Sequence, residues 1–421
     1  MRRLLGLAAF ALTACAVTPE PVTQSYLGIE YATAQRWELP EVNEEWNDAE
    51  PFDTMGPPCP QDGQSVMIED CLFLNVFSPS TAKRAPVLIW FHGGGFRAGL
   101  GGDGPKTFVD DGIVVVTFNY RLGKLGFHDW PGWDENDPRN FGQADMVAAL
   151  DWVQKNIGEF GGDPKNVTLA GHSAGGMGVQ LMLTDPRASG KYAQAWAHAG
   201  YGAWPFPKAY NPSPEERARI RFGALETERS AAEIVAQTPF FHLPYIDAPY
   251  LREQPSALWQ AGRIMDVPIV TGWNSYDGAG TLGGAGFSVQ DFIKRIDSPD
   301  IRAAYASDFA ISDTQAAQRI FGDMRYGFSS LELARQSDGQ IFYYDARRDG
   351  APGAYHGQQY EGVFNGIPSD YRNALLQFIE TGNPGWDAGE IGVLSPELTL
   401  ETHVLSDAKR SALAQALEAI Q

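Results

Sequence analysis

A serine between glycines joins a strand-like run to a helix-like run of the chain. Residues 167–170 are apolar and β-branched, GHSAGG occupies residues 171–176, and residues 177–183 can continue as a helix. Strand, tight G-x-S-x-G turn and helix form the context of a nucleophile elbow, which holds a serine hydroxyl out at the top of a sheet. The alternative is a glycine-rich turn whose serine only caps the helix. We predict that Ser173 is a nucleophile.

A second glycine cluster follows a buried strand earlier in the chain. Residues 86–91 are continuously apolar, as expected for a strand that is covered on both faces. They lead into HGGGF at 92–96, a loop whose backbone N–H groups are not shielded by side chains and can bind an anion. Beside a nucleophile elbow, such a loop is the expected oxyanion hole. A plain glycine turn is the alternative.

The rest of the chain alternates between strand-like and helix-like patterns. The strand-like runs are residues 69–76, 113–118, 192–198, 267–271 and 341–344, and the helix-like runs are residues 140–157, 371–380 and 406–420. This alternation is typical of an α/β fold with a mostly parallel central sheet flanked by helices. Residues 201–263 interrupt it with prolines and aromatic residues, and residues 25–60 contain no long periodic segment.

The N-terminus has the pattern of an export signal. Two arginines precede the apolar run 4–12, which is too short to span a bilayer. LTAC at 12–15 resembles a bacterial lipobox, in which Cys15 becomes the lipidated first residue of the mature chain. Ordinary cleavage after Ala16 is the alternative.

These patterns divide the chain into three parts. We expect a signal peptide at residues 1–14, a tether at 15–24 and one large domain at 25–421, with residues 201–263 as an insertion. The predicted location is a bacterial membrane, to which the lipid anchors the chain on the periplasmic or cell-surface side. Without the lipid, the protein would be secreted or periplasmic and soluble.

The cysteine count fits export. Of the three cysteines, Cys15 is set apart by the lipobox, which leaves Cys59 and Cys71, 12 positions apart. In an oxidising compartment they would close a small loop, which typically stabilises a fold by about 2–3 kcal/mol. Two buried free thiols are the alternative.

The charge excludes one class of partner. The net charge is −20, and nucleic-acid binding needs a basic patch. The acidity is spread along the sequence and is typical of a solvated surface; attraction of cationic substrates is a weaker alternative.

No HExxH or paired CxxC pattern indicates a metal site, and we expect no cofactor.

A serine nucleophile needs a histidine base and a carboxylate that orients the histidine. Four histidines follow Ser173, at positions 198, 242, 356 and 403. His356 follows the last predicted core strand in a glycine-containing loop, where an α/β hydrolase places its base. His198 falls inside a strand and is interpreted as a core histidine. Asp277 follows the strand at 267–271 and is the predicted acid, with Asp323 and Asp345 as alternatives.

These stretches together resemble the type-B carboxylesterases, which include the cholinesterases. The matching stretches are EDCLFLNV at 69–76, HGGGF at 92–96, NYRLGKLGF at 119–127, FGGDPKNVTLAGHSAGG at 160–176 and GAYHG at 353–357, with weaker matches at 243–251 and 378–384. They run in family order from about residue 60 to 385. The resemblance implies an α/β-hydrolase fold and the hydrolysis of a small-molecule ester through an acyl-enzyme, with no obligate protein partner.

The resemblance also implies residue roles. Ser173 is the nucleophile, His356 the base and Asp277 the acid. The oxyanion N–H groups belong to Gly94, Gly95 and Ala174. A Cys59–Cys71 disulfide and a buried Glu69–Arg121 ion pair are implied as structural features, and residues 201–263 would form the lid or pocket wall.

The sequence departs from the family at several positions. Asp277 and His172 each stand where the family usually has Glu, and the chain is shorter than most members. No Trp lies between Cys59 and Cys71, which disfavours choline esters. Phe240 lies where the acyl pocket of the family would be. The alternatives in function are an amidase, a lactonase or a polyester hydrolase with the same triad, and a non-catalytic binding protein on the same scaffold.

Overall fold

The computed structural model describes residues 23–45, 53–128, 136, 138–209, 213, 215, 229–238, 242–246, 248–345, 352–359, 363–394, 399–401 and 404–420. The predicted signal peptide, the predicted sites Cys15 and Phe240, and His403, one of the four histidines considered for the base, lie outside these residues.

Twelve strands occur in the described residues. They are β1 (Thr23–Glu30), β2 (Ala32–Thr33), β3 (Glu41–Val42), β4 (Phe73–Pro79), β5 (Ala85–Phe91), β6 (Val114–Phe118), β7 (Gly162–His172), β8 (Gln194–His198), β9 (Ile269–Asn274), β10 (Gln340–Tyr344), β11 (Ile391–Leu394) and β12 (Thr399–Glu401). Ten of them form one sheet in the order β1-β4-β6-β5-β7-β8-β9-β10-β11-β12, and β2 pairs with β3. The seven strands from β6 to β11 along the sheet are parallel. The predicted mostly parallel sheet is therefore confirmed.

Twelve α-helices occur in the same residues. They are α1 (Gly123–Gly126), α2 (Phe141–Asn156), α3 (Ala174–Met182), α4 (Ala231–Val235), α5 (Pro255–Gln260), α6 (Val289–Ile296), α7 (Pro299–Ala304), α8 (Ala306–Phe309), α9 (Asp313–Gly322), α10 (Phe328–Ser337), α11 (Asp370–Thr381) and α12 (Asp407–Ile420). Short 3-10 turns cover Lys106–Asp111, Ile157–Phe160 and Pro186–Ala188, and a π-helical turn covers Asp323–Gly327. The sequence patterns predicted α2, α3, α11 and α12 but not the helices between β9 and β10.

The central strands are covered on both faces because their side chains alternate between two cores. In β6, Val114 and Val116 pack into one hydrophobic cluster, which also contains side chains of α2 and α3, and Val115 packs into the other. The second cluster includes Phe378 of α11. This alternation follows from the two-residue period of a strand, and it explains why these strands are continuously apolar in sequence.

The N-terminal edge of the sheet differs from the prediction. Strand β1 pairs antiparallel with β4, although residues 25–60 carry no pattern that predicts a strand. Its first residues are exposed, as is usual at the edge of a sheet. Because only part of the strand is buried, its sequence lacks a clear alternation.

One predicted ion pair is wrong in its partners. Arg121 pairs with Asp145 of α2 and not with Glu69, and its Nη2 and Nε donate to the two carboxylate oxygens at 2.7 and 2.9 Å. The Arg121 backbone N–H donates to Asp145 as well, at 2.9 Å. Glu69 instead pairs with Arg36, and both of these side chains are partly exposed. Glu69 and Arg121 both occur in stretches that match the family, but in this structure each of them pairs with a different residue.

The predicted disulfide is present between Cys59 and Cys71, with both cysteines buried. Within the described part of the chain, no helix has the length and apolar character that a membrane crossing requires.

Replacing Asp145 by Asn should destabilise the fold strongly. The change leaves the buried Arg121 guanidinium without its counter-charge, which typically costs about 3–5 kcal/mol. Urea unfolding measures the loss. Asp297→Asn is the matched control, because Asp297 and its partner Arg302 are both about half exposed and water screens the pair. Equal losses in the two variants would contradict the structural role given to Asp145.

Candidate active site

Ser173 lies between β7 and α3 with a backbone conformation that few residues other than glycine adopt. Its φ is 58° and its ψ is −121°. Strained backbone of this kind persists only where the surroundings hold it. Here the Ser173 N–H donates to the carbonyl of His198 at 2.9 Å, and the Ser173 carbonyl accepts from the Met177 N–H at 2.8 Å. The serine therefore forms the sharp strand-to-helix turn that the sequence predicted.

The glycines around Ser173 are required by close backbone contacts. A Cβ on Gly175 would lie 2.0 Å from the Phe91 carbonyl oxygen, and one on Gly176 would lie 2.2 Å from the His198 carbonyl oxygen. Both distances are far below van der Waals contact. The turn can pass this close to β5 and β8 only because side chains are absent at these positions.

Two further predicted residues meet at the carboxyl edge of the sheet. His356 Nδ1 lies 2.7 Å from Asp277 Oδ1. The second carboxylate oxygen of Asp277 accepts from the Asn274 backbone N–H at 2.9 Å. Because a carboxylate only accepts, the proton of this contact belongs to Nδ1, which leaves Nε2 of His356 as the basic nitrogen.

The serine, the histidine and the glycine loop line one cavity. Its volume is about 650 Å³, and Ser173, His356 and Gly93–Gly95 all contribute to its wall. A Cβ on Gly93 would lie 2.9 Å from the His172 carbonyl oxygen and 3.5 Å from Ser173 Cβ, so the loop runs directly beside the serine. The structure thus brings the predicted groups together in one place.

The predicted oxyanion donors are three backbone amides around this cavity. Gly94 and Gly95 have φ values of 108° and 64°, which glycine adopts without strain. Ala174 is the first residue of α3, and first-turn amides have no acceptor within their own helix. Among the described residues, none of these three amides has a backbone acceptor. They can therefore donate to an oxygen bound in the cavity.

Contacts from three directions hold the glycine loop in place. The Gln61 side chain, from the disulfide loop, donates to the Gly99 carbonyl at 2.8 Å and accepts from the Gly99 N–H at 2.9 Å. The His242 N–H, from the predicted insertion, donates to the Gly95 carbonyl at 2.9 Å. The Tyr120 hydroxyl donates to the His92 carbonyl at 2.7 Å. The orientation of the loop amides is fixed by the fold before any ligand binds.

The alternative bases and acids lie in other surroundings. Asp323 is fully buried, and it accepts hydrogen bonds from the Tyr305 hydroxyl at 3.1 Å and the Trp273 indole at 3.4 Å. The backbone N–H of Asp345 donates to Leu394. His242 lies with Nε2 2.6 Å from the Phe127 carbonyl oxygen. Of the described candidates, only His356 and Asp277 form a histidine–carboxylate hydrogen bond, and His356 lines the cavity together with Ser173.

His172 and Tyr326 both lie against the His356 ring. The His172 ring centroid is 4.3 Å from that of His356 and 4.9 Å from that of His198. Burial, and then the neighbouring His356 and His198, lower the pKa of His172 well below its usual range. The Tyr326 ring stacks on His356 at 5.1 Å with an interplanar angle of 27°. The uncharged His172 ring thus lies directly beside the His356 ring.

Tyr326 and Asn274 are site residues that the sequence analysis missed. Tyr326 belongs to the π-helical turn, a feature that is often found at functional sites but that leaves no sequence pattern. The only sequence signal for Asn274 is its place at the end of a core strand, three residues before Asp277.

Aromatic side chains and two charged groups complete the cavity wall. Trp90 and Phe364 pack edge to face with ring centroids 5.5 Å apart. Arg97 is paired with Asp62 outside the cavity, while partial desolvation raises the pKa of Asp103, which lines the cavity and is exposed to solvent. His172, Asp277 and His356 could offer a metal ion three ligand atoms within 4.8 Å of one another, although the Asp277–His356 hydrogen bond already occupies two of these atoms.

Comparisons with known proteins point to one family. The model of the carboxylesterase family matches residues 15–374. The para-nitrobenzyl esterase of Bacillus subtilis is 39% identical over 201 residues, which are 44% of this chain and 41% of that protein. Cholinesterase 1 of Branchiostoma lanceolatum is 34% identical over 57% of this chain and 75% of its own length. The matched segment thus spans less than half of the Bacillus enzyme.

Solved structures match over nearly the whole chain. A PNB esterase aligns with a TM-score of 0.76 and 26% identity over 93% of this chain and 96% of its own. A carboxylesterase of Geobacillus stearothermophilus aligns with a TM-score of 0.78 at the same identity and the same coverage. The sheet and its flanking helices are those of the α/β-hydrolase fold. The strand-turn-helix around Ser173, the family match and these structural similarities together show that the chain belongs to the carboxylesterase family.

Proposed function

We propose that the chain hydrolyses carboxylic esters by two-step acyl transfer on Ser173. The observation that carries the proposal is the shared cavity, in which Ser173, the hydrogen-bonded His356–Asp277 pair and the glycine loop meet. The names of the related proteins, which include a para-nitrobenzyl esterase and a cocaine esterase, support an ester as the substrate.

In the first step, Ser173 Oγ attacks the ester carbonyl while His356 Nε2 takes its proton. Asp277 stabilises the imidazolium and holds the ring in the required tautomer. The carbonyl oxygen becomes an oxyanion, to which the amides of Gly94, Gly95 and Ala174 donate. One such donor typically contributes about 10²–10³-fold to the rate. His356 then gives its proton to the leaving alcohol.

In the second step, water takes the place of the alcohol. His356 removes a proton from the water as it attacks the acyl-enzyme, and the collapse of the second tetrahedral intermediate returns the proton to Ser173. The acid leaves and the free enzyme is restored. Every proton in this sequence passes through His356 Nε2, so the chemistry needs no group beyond those of the chain.

The cavity favours an uncharged ester with apolar groups. Its volume of about 650 Å³ and its Trp90–Phe364 wall suit a small organic molecule. The loop between Cys59 and Cys71 contains no Trp, so it offers a choline group no indole ring to stack on.

We further propose that the protein is exported and anchored by a lipid on Cys15. The lipobox-like sequence LTAC carries this proposal. The Cys59–Cys71 disulfide supports an oxidising compartment.

Ser173→Ala and His356→Ala should each lower the turnover of a short-chain p-nitrophenyl ester by about 10⁴-fold or more, because the nucleophile and its base act as a unit. A fluorophosphonate probe should label the wild type and not Ser173→Ala. Ser189→Ala, which changes an exposed serine, is the control and should behave as the wild type. A folded wild type that resists the probe would contradict the proposed enzyme, and faster hydrolysis of the matched amide would point to an amidase.

Asp277→Asn should lower kcat by about 10³–10⁴-fold, because the amide can donate to Nδ1 and favour the wrong tautomer of His356. Asp323→Asn is the matched control. Asp323 is buried, accepts hydrogen bonds from Trp273 and Tyr305, and is not part of the cavity wall. Its kcat should stay within about twofold of the wild type. A normal rate in Asp277→Asn would assign the acid role to another carboxylate.

Cys15→Ala should release the protein from membranes, because the acyl chains attach to this sulfur. Membrane fractionation and incorporation of labelled palmitate in a bacterial host measure the effect. A wild type that is soluble and unlabelled after export would favour ordinary cleavage after Ala16.

A further inference from the structure

We propose that Asn274 is a positioning residue for this reaction, one that joins the loop of the acid to the loop of the base. Asn274 is the last residue of β9 and is fully buried. Its side chain is not part of the cavity wall, so it acts through Asp277 and His356 and not on the substrate. The inference rests on the proposed esterase mechanism.

The contacts of Asn274 reach both loops. Its backbone N–H donates to Asp277 Oδ2 at 2.9 Å. Its side-chain Nδ2 donates to the Tyr355 carbonyl at 2.5 Å and to Gln359 Oε1 at 2.9 Å. Tyr355 immediately precedes His356. A single residue therefore holds the carboxylate on one side and the backbone that carries the imidazole on the other.

A buried chain of hydrogen bonds fixes the orientation of this side chain. Because both Asn274 Nδ2 protons point to acceptors, the oxygen Oδ1 faces His198 Nε2, 2.9 Å away, and must accept from it. His198 Nδ1 then accepts from the Tyr371 hydroxyl at 3.0 Å. That hydroxyl accepts in turn from the Trp196 indole at 2.9 Å. Each hydrogen bond in this series is thus donated in the direction from Trp196 towards the His356 loop. If the Asn274 amide were turned around, at least one of these hydrogen bonds would be lost.

Burial makes this orientation hard to change. His198 and Asn274 are both fully inaccessible to solvent, and burial holds the pKa of His198 well below its usual range. A neutral His198 with its proton on Nε2 is the only form that donates to Asn274 and accepts from Tyr371. In a buried network, a broken bond leaves an unsatisfied polar atom, so the amide cannot turn without loss elsewhere.

Two backbone contacts assist Asn274, but neither reaches the Asp277 carboxylate. The Tyr276 N–H donates to the Ala354 carbonyl at 2.9 Å, and the Ala354 N–H donates to Ser275 Oγ at 2.7 Å. They hold the two loops side by side. Without the Asn274 side chain, the backbone at Tyr355 can shift, and the His356 ring shifts with it. A displacement of about 1 Å in a catalytic group can cost about 10²-fold in rate.

The test compares Asn274→Ala with Gln194→Ala. Gln194 is also buried, and its Nε2 donates to three acceptors, Thr168 Oγ1, Phe378 O and Ile379 O. It lies at the opposite end of β8 from His198. Both variants lose a comparable set of buried hydrogen bonds, but only one loses them beside the His356 loop.

Asn274→Ala should lower kcat for a p-nitrophenyl ester by about 10–100-fold with KM changed less than about threefold, because ground-state binding does not involve the amide. Gln194→Ala should keep kcat within about twofold at a temperature where both variants are folded. A normal kcat in folded Asn274→Ala, or an equal loss in Gln194→Ala, would overturn the proposal.

A double-mutant cycle separates positioning from general loosening. In the Asp277→Asn background the acid–base pair is already disabled, so adding Asn274→Ala should cost less than about threefold more in kcat. A full, additive loss would overturn the proposal.

If Asn274→Ala does not fold, Gln359→Leu serves as a second variant. It removes one of the two acceptors of Asn274 Nδ2 and should lower kcat about 3–10-fold; an unchanged kcat in Gln359→Leu would overturn the proposal as well. A wild type without esterase activity would instead contradict the proposed function itself.

Discussion

The positive φ of Ser173 is the constraint on which the site depends. A serine held in this conformation presents its hydroxyl at the end of a strand and also starts a helix. The conformation costs free energy, so the neighbouring elements must enforce it. Gly175 and Gly176 allow β5 and β8 to approach within contact distance, and the His198 carbonyl accepts the Ser173 N–H. Close packing against the sheet thus holds the proposed nucleophile in place.

The parallel sheet then brings the remaining groups to the serine. Parallel strands point their carboxyl ends to one edge, where the loops that follow them meet. The glycine loop follows β5, Asp277 follows β9 and His356 follows β10. Their separation in the chain is more than 250 positions, from Gly94 to His356. A rigid scaffold can hold groups so distant in sequence at hydrogen-bonding distance.

Buried neutral histidines give the site an unusual electrostatic character. His172 and His198 both have pKa values held well below the usual range by burial. They surround His356 with polar groups that carry no charge at neutral pH. The Asp277 carboxylate is therefore the nearest compensating charge described for the imidazolium that forms during the reaction, and its orientation by Asn274 becomes correspondingly important.

The sequence by itself determined the α/β alternation, the serine turn and the glycine loop, and it predicted the order of serine, acid and base. The first three features are local, because strand periodicity and glycine-dependent turns depend on neighbouring residues. Chain order also distinguishes His356 from the other histidines, because His356 follows a core strand in a glycine-containing loop.

The tertiary structure alone decided which charged and polar groups meet. Arg121 finds Asp145 and not Glu69, and Tyr326 reaches His356 from a π-helical turn. Strand β1 forms at the edge of the sheet because its backbone pairs with β4. The hydrogen-bonded chain from Trp196 to Asn274 joins three separate elements, β8, α11 and β9. Such pairings depend on packing between distant segments, and a pattern of neighbouring residues carries no information about them.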